Sequence, residues 1–403
     1  MTVQSLLDQI DILAMAKMNV LHWHFVESQS WPIEMLKYPQ MTNDAYSPEE
    51  IYTQEDIKKI LKYGRERGVR IIPELDMPGH SSSGWRSVDP EIISCGDAFW
   101  CQSDKFHTSV EPNPGQLDII YENTHEVLKD VYGELSGLFD DNLFHVGADE
   151  IVADCYNYST HVQRWFAEDS SRTFRDLIQY WVDKTYPMFT GLKKDRRLIM
   201  WEDILTSDIS AFNLSEEVIM QVWTNGPVHI KDLTSRGHDV IVSTSDYLYL
   251  DCGEASWLPN DPNFIDGFVG TPDTYNYNPG YGSSWCGPYK TYQRIYNYDI
   301  AANLTDEEAA HIIGGEVAIW AEQTDSLTLT SMVWPRSAAY AENLWSGNRD
   351  ESGKRRNFVF TQRILNFREY LVALGFSAKA LVPKYCLQHP HACDRQWDIA
   401  AAN

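Results

Sequence analysis

The sequence predicts an α/β protein of the (β/α)8 TIM-barrel class, and three observations carry the prediction. Short apolar runs alternate with amphipathic segments from end to end. Polar and aromatic side chains cluster just past the end of nearly every apolar run. The length, 403 residues, suits one large barrel with insertions as well as two or three smaller domains. A doubly wound sheet would gather its functional residues at one switch point. Here nearly every strand contributes, which favours the barrel.

The elements follow in order. Leu6, Ile10, Leu13 and Ala14 fall at helical spacing, so the chain opens on a helix. Strands are expected over Asn19 to Phe25, Val69 to Leu75, Asn142 to Gly147, Arg197 to Trp201, Val218 to Trp223, Asp239 to Thr244 and Glu316 to Trp320. Thr53 is placed to cap a helix that Gly68 closes, and Leu177 to Phe189 reads as an amphipathic helix. A barrel needs an eighth strand, expected upstream of Met1, so the chain is read as a barrel lacking its first strand. Long loops fall at Pro32 to Pro48, Ser81 to Gly115 and Gly253 to Tyr289. The last, rich in Trp, Tyr, Asn, Pro and Gly, resembles a binding loop. Residues 1–403 are read as a single domain with a C-terminal helical segment over about 346–403.

Composition excludes several classes of function. Hydrophobic residues make up 43% of the chain, ample for a core, and no run is long and apolar enough to span a membrane. With 58 acidic and 33 basic residues, the formal charge is −25, which argues against nucleic acid as a partner. Aromatics are abundant, including 14 Trp and 22 Tyr. None of the seven cysteines forms a C-x-x-C pair, which argues against a zinc ribbon or a thioredoxin-type site. Sequons at Asn157, Asn213 and Asn303 fit a glycosylated, secreted protein. No leader precedes Thr2, so either one has been removed or the natural chain starts further upstream.

The chemistry concentrates at FHVGADE, which ends in the adjacent carboxylates Asp149 and Glu150. Adjacent strand residues point to opposite faces, so they do not simply flank one bond as two glycosidase carboxylates do. Glu202, Asp251 and Glu322 lie past other strands, and spacing does not choose among them as a partner. His22-Trp-His24 is an H-x-H pair of the kind that binds metal in amidohydrolase-type enzymes. Such sites need further ligands after later strands, where this chain carries Trp201 and Trp223. No metal or other cofactor is expected, and His22 is read as a buried, hydrogen-bonded imidazole.

The segments WHFVESQSWP, PELDMPGH, FHVGADE, MWED, VWTN, YLYLD, GGEVAIWAE and WPRSAAYAENLWS run in the order seen in glycoside hydrolase family 20. Over roughly residues 2–395 the chain resembles the catalytic domain of a β-N-acetylhexosaminidase of the fungal secreted type. The resemblance implies exo-hydrolysis of terminal GlcNAc or GalNAc from chitooligosaccharides or glycans with retention. The nucleophile is then the substrate's own acetamido oxygen, an exception to the two-carboxylate rule. Glu150 becomes the acid/base, and Asp149 orients the acetamido group and stabilises the charged intermediate. The resemblance further implies that Tyr249 aims the acetamido oxygen and that Trp201, Trp223 and Trp320 wall the sugar pocket. Asp251 and Glu322 bind hydroxyls, and Glu27, Asp76, His80 and His145 stand behind the acid/base as a relay. It also implies the bridges Cys95–Cys155, Cys252–Cys286 and Cys386–Cys393 with Cys101 free, a carbohydrate partner, a homodimer as one assembly, and an extracellular or vacuolar-lysosomal location.

Three departures stand against the family pattern. Ala148 replaces a glycine, Glu27 replaces an aspartate, and the arginine that grips the sugar would lie upstream of Met1, as would the usual small α/β domain. These favour a second reading, a non-catalytic amino-sugar or chitin-binding protein with a degraded site. The intact Asp149, Glu150, Tyr249 and tryptophans oppose it. A chitinase-type endo-enzyme is a third reading, but its D-x-x-D-x-D-x-E strand is absent.

Overall fold

The structure is a computed structural model that describes residues 1–103, 106–203, 212–254, 257–258 and 286–394. Most of the expected binding loop from Gly253 to Tyr289, and the last nine residues of the C-terminal segment, lie outside the described residues. The chain divides into two compact units. One holds Asn19–Val222 and His229–Val240; the other holds Met1–Met18, Trp223–Val228 and Ile241–Asn403.

The first unit is built on five strands: β1 (Val20–His24), β2 (Arg70–Glu74), β3 (Leu143–His145), β4 (Arg197–Trp201) and β5 (Ile219–Val222). They are neighbours in chain order, and each adjacent pair is parallel. Parallel neighbours need a crossover between them, and helices supply it: Gln54–Glu66 between β1 and β2, Glu122–Leu138 between β2 and β3, and Phe174–Gly191 between β3 and β4. Thr53 opens the first helix with a reciprocal cap to Asp56, and Gly68 follows its end at φ +71°, a backbone state that suits glycine. The central strands are buried on both faces, as parallel strands under helices are, whereas β1 is half-buried apart from Trp23. Phe144, Leu198 and Ile199 are nearly inaccessible. Tyr132 of the second crossover helix packs on Phe144 at 4.7 Å and on Phe189 at 4.4 Å between ring centres.

Alternation along β1 sets the site. Trp23 points to the helix side, edge-on to Tyr52 at 5.0 Å. His22 and His24 share the opposite face. Register then aligns His24 with Glu74 of β2, and Glu74 with His145 of β3. Three polar residues thus stand side by side across three strands.

The second unit opens on the helix Val3–Met15, capped by Thr2, and carries the helices Arg336–Ser346 and Asn357–Ala373. Two further strands, β6 (Val240–Val242) and β7 (Ile312–Gly315), complete the series of seven read from the sequence. The last lies four residues earlier than expected. Gly314 and Gly315 read as a poor strand interior, yet a β-carbon at Gly315 would come within 1.9 Å of the Tyr340 hydroxyl. Glycine is therefore needed there for close packing. Pairing continues past β7: Glu316 N–H donates to the Val242 carbonyl, and Tyr249 bridges Ala318.

Candidate active site

In the first unit, the expected acid/base residue heads an unbroken line of side chains. Glu150 Oε2 lies 3.1 Å from His80 Nε2, and His80 Nδ1 lies 2.9 Å from Glu27 Oε1. The other oxygen of Glu27 is 3.3 Å from His24 Nε2, and His24 Nδ1 is 3.0 Å from Glu74 Oε2. Glu74 is fully buried and accepts the Trp201 indole N–H at 2.7 Å. His22 Nε2 lies 2.9 Å from its second oxygen, and His145 Nδ1 lies 3.1 Å from its first. The Gly147 N–H also reaches His145 Nδ1, at 3.0 Å.

The line alternates carboxylates with imidazoles, and its electrostatics follow. Burial disfavours charge on His80, but Glu27 and Glu150 outweigh it and hold the imidazole well above its ordinary range. Likewise, burial disfavours charge on His24, while Glu74 and Glu27 raise its proton affinity well above the usual value. Burial also opposes ionisation of Glu27 and Glu74, yet the neighbouring imidazoles carry both carboxyls well below their usual range. Opposite charges at hydrogen-bonding distance account for each shift.

Asp149 and Asp76 behave oppositely. Burial and the Asp76 carboxylate push Asp149 well above the ordinary aspartate value. Asp76, whose Oδ1 accepts the Ala148 N–H at 3.2 Å, is raised to about 7 by burial, with His80 pulling down and Glu74 pushing up.

The loop that carries the pair is held in uncommon backbone states. Gly147, Ala148 and Glu150 have φ of +66°, +80° and +50°, and His80 has +49°. A β-carbon at Gly147 would fall 1.5 Å from Asp76 Oδ1, so only glycine fits beside that carboxylate. Ala148 occupies a left-handed state that its methyl disfavours. The glycine expected from the family pattern would adopt it freely. Left-handed non-glycine residues clustered at one site are a mark of function.

Two residues at this site escape sequence reading. Asp203 Oδ2 accepts the Glu150 backbone N–H at 2.6 Å, and burial raises its carboxyl to about 6. It stands in MWED, where Glu202 drew attention instead; Glu202 is buried and its Oε1 lies 2.7 Å from His229 Nδ1. Glu74 was passed over as well. The period-two spacing of His22 and His24, with a lone acid ending the next strand, was the available signal.

The other expected residues lie in the second unit. Tyr249 is buried, with its ring parallel to Trp223 at 6.3 Å and edge-on to Trp320 at 5.9 Å. The Cys252–Cys286 bridge packs with them. Asp251 Oδ1 accepts the Trp320 N–H at 3.4 Å, and burial raises its carboxyl to about 6, with Glu322 pushing the same way. Glu322 itself is exposed. Arg336 is almost wholly buried and donates to the Leu250 and Lys290 carbonyls, which fixes the segment carrying Asp251.

All three expected disulfides are present, Cys95–Cys155, Cys252–Cys286 and Cys386–Cys393, and Cys101 lies outside these bridges. The donor atoms of His22, Glu74 and His145 lie within 4.8 Å of one another, close enough to hold a metal ion. Glu74 spends one of its oxygens on the Trp201 indole.

A paired Asp-Glu with an imidazole–carboxylate row behind the Glu can deliver a proton to a leaving oxygen, as glycoside hydrolases require. The comparisons agree. Residues 1–348 match the model of glycosyl hydrolase family 20, catalytic domain, and the chain belongs to that family. A beta-hexosaminidase of Emericella nidulans is 52% identical over 98% of this chain and 66% of its own length. A chitooligosaccharidolytic beta-N-acetylglucosaminidase of Bombyx mori is 35% identical over 97% of this chain and 62% of its own. The chain thus spans about two thirds of the length of these relatives. The solved chitobiase of Flavobacterium johnsoniae is 28% identical with a TM-score of 0.70, covering 93% of this chain and 50% of that one. The fold is accordingly of the (β/α)8 type expected from the sequence. No helix among the described residues is long and apolar enough to cross a membrane.

Proposed function

We propose that the chain is the catalytic domain of an exo-acting β-N-acetylhexosaminidase that removes terminal GlcNAc or GalNAc from chitooligosaccharides or glycans. The observation that carries this reading is the placement of Glu150. His80 lies within hydrogen-bonding reach of its side chain, Asp203 fixes its backbone, and Asp149 stands beside it.

Glu150 protonates the glycosidic oxygen while the substrate's acetamido oxygen attacks C1 with retention. Glu150 then activates the water that opens the oxazoline. General acid–base catalysis of this kind contributes about 10²–10⁴-fold. Asp149 accepts the acetamido N–H. Burial and the neighbouring Asp76 make its anion costly, with His80 at 3.9 Å offsetting them in part, so it gains most as positive charge develops on the oxazolinium. An interaction that strengthens toward the transition state accelerates the reaction. Tyr249 is assigned to aiming the acetamido oxygen. Trp201, Trp223 and Trp320 are assigned to the sugar faces, and Asp251 and Glu322 to hydroxyls. Asp76 and His145 are assigned to the support of the relay. The chitooligosaccharide-cleaving relative makes that substrate class the first to test.

We extend the proposal to a secreted or vacuolar-lysosomal location, since the sequon residues Asn157, Asn213 and Asn303 are all exposed, and to assembly as a homodimer. The decisive experiment replaces Glu150→Gln and follows N,N′-diacetylchitobiose. Turnover is expected to vanish while a thiazoline mimic of the intermediate still binds. Unchanged turnover overturns the reading, and binding without turnover in the unaltered protein would favour the non-catalytic alternative.

A further inference from the structure

The relay does not stop at Glu27. His24 stands between two carboxylates, with Nε2 3.3 Å from Glu27 and Nδ1 3.0 Å from Glu74. A neutral imidazole has one N–H and one bare lone pair. Facing two carboxylates, it would aim that lone pair at an anion, a repulsive contact in a buried setting. A doubly protonated ring removes that repulsion and pairs by charge with both. Protonating one of the carboxylates instead is disfavoured at Glu74, which already accepts the Trp201 indole N–H and has three imidazoles around it. It is equally disfavoured at Glu27, which accepts the Ser28 N–H at 2.5 Å and faces His80.

We infer that His24 is a positioning residue for the acid/base: as a buried imidazolium it ties Glu27 to Glu74, holding Glu27 anionic and aimed at His80. The inference rests on the hexosaminidase reading and deepens it. It also explains how this chain works with a glutamate at position 27. The longer side chain has one more rotatable bond than aspartate, and a second donor is what fixes its free oxygen. With Glu27 locked, the mobile proton is confined to the Glu150–His80 pair, where the leaving group needs it. Without His24, Glu27 can turn and share the His80 proton, and the acid/base loses its support.

The groups facing His24 are Glu27, Glu74 and, in the same cluster, Asp76; His80 faces it through Glu27, and His22 and His145 through Glu74. All these carboxylates favour the cation. The directions of the proton affinities agree, with His24 up and both glutamates down.

Two variants separate the partners. In His24→Gln the amide approximates Nε2 and keeps a donor toward Glu27, whereas in His24→Asn it approximates Nδ1 and keeps only the donor toward Glu74. Each is assayed on chitobiose, a poor leaving group, and on a nitrophenyl N-acetylglucosaminide, whose leaving group needs no proton. Misplaced catalytic groups cost up to about 10²-fold, so His24→Asn is expected to lose about 10–100-fold in kcat/KM on chitobiose. It should lose much less on the nitrophenyl substrate, and His24→Gln less on both. Removing a positive charge also raises proton affinity around it, so the alkaline limb of kcat/KM for chitobiose moves to higher pH in both variants. Equal losses on the two substrates with an unmoved pH profile mean a merely structural role and overturn the inference, as do unaltered rates.

Neutron diffraction from the unaltered protein decides the charge even if neither variant folds. Deuterons on both His24 nitrogens are expected near neutral pH, and a bare nitrogen overturns the inference. If the unaltered chain cleaves neither substrate, the hexosaminidase reading falls, and the neutron map still decides whether His24 is the proposed cation.

Discussion

Asp76 offers a test of the electrostatics that is independent of catalysis. Its carboxyl is nearly inaccessible, and burial moves its pKa from 3.8 to about 7. The sign of the consequence follows from proton linkage. Between these two pH values the folded chain holds a proton that the unfolded chain has released. The stability linked to Asp76 is therefore fully present below about pH 4 and is lost as pH rises through about 7. Each tenfold change in proton affinity is worth about 1.4 kcal/mol, so the loss amounts to as much as about 4 kcal/mol. Asp76→Asn imitates the protonated carboxyl, and its amide oxygen can still accept the Ala148 N–H. At pH 4 the variant and the unaltered chain should unfold at the same denaturant concentration. At pH 7 the variant should be the more stable by a few kcal/mol, although less active, because Asp76 belongs to the cluster behind Asp149.

The comparison between the two proteins matters more than either curve. The formal charge of −25 lowers stability at high pH through self-repulsion in both. Glu27 and Glu74, whose folded pKa values are depressed, add stability that is present above about pH 4.5 and lost on acidification, again in both. What differs is the Asp76 contribution, together with the part of the Asp149 shift that the Asp76 charge causes. Urea unfolding at half-unit pH steps from 4 to 8 isolates it as the difference between the curves. Parallel curves, or a variant less stable at pH 7, would refute the assignment of a buried proton to Asp76.

Other expected outcomes follow from single contacts. Ala148→Gly removes a methyl from a φ +80° position. The left-handed penalty of about 1–2 kcal/mol exceeds the entropic cost of glycine, about 0.5–1 kcal/mol, so calorimetry should show a slight stabilisation with activity kept. Asp203→Ala strips the acceptor from the Glu150 N–H and should cost about 1–3 kcal/mol together with kcat, whereas Asp203→Asn keeps an acceptor and most of both. Thiol titration in denaturant without reductant should find one reactive cysteine, Cys101; two or more would remove one of the bridges.

Much of the fold was legible because its strands obey simple patterns. The six from β1 to β6 fall within the apolar runs read from the sequence, since strands buried on both faces are almost continuously apolar. β7 was misplaced because Gly314 and Gly315 look like a turn until the Tyr340 hydroxyl is seen against them. At the site, adjacency in sequence exposed Asp149 and Glu150, places just past strand ends drew out His80 and Glu27, and the family resemblance supplied their relay role. Glu74 and Asp203 stayed hidden for a physical reason. Each acts through atoms of residues far away in the chain, Trp201 Nε1 127 positions on and Glu150 N 53 positions back. Strand register makes such pairs, and no local pattern encodes it.

That register bears on why two of the three departures from the family pattern, Ala148 and Glu27, coexist with an ordered site. Ala148 sits in a strained state, and Glu27 reaches His80 with an extra methylene. Each would loosen a site built only from the pair and its histidine. Here Ala148 N–H is tied to Asp76, and Glu27 is gripped on one oxygen by Ser28 N–H and His80 and on the other by His24. The His24–Glu74 contact is in turn fixed by β1–β2 pairing, in which the two residues are directly opposite. Strand pairing therefore reaches directly to the base of the relay. A degraded binding protein would have no reason to prefer buried charges in register through four side chains behind Glu150, because well-packed apolar residues in their place would serve its stability as well or better. The intact row therefore weighs against the non-catalytic alternative more than the survival of Asp149 and Glu150 does.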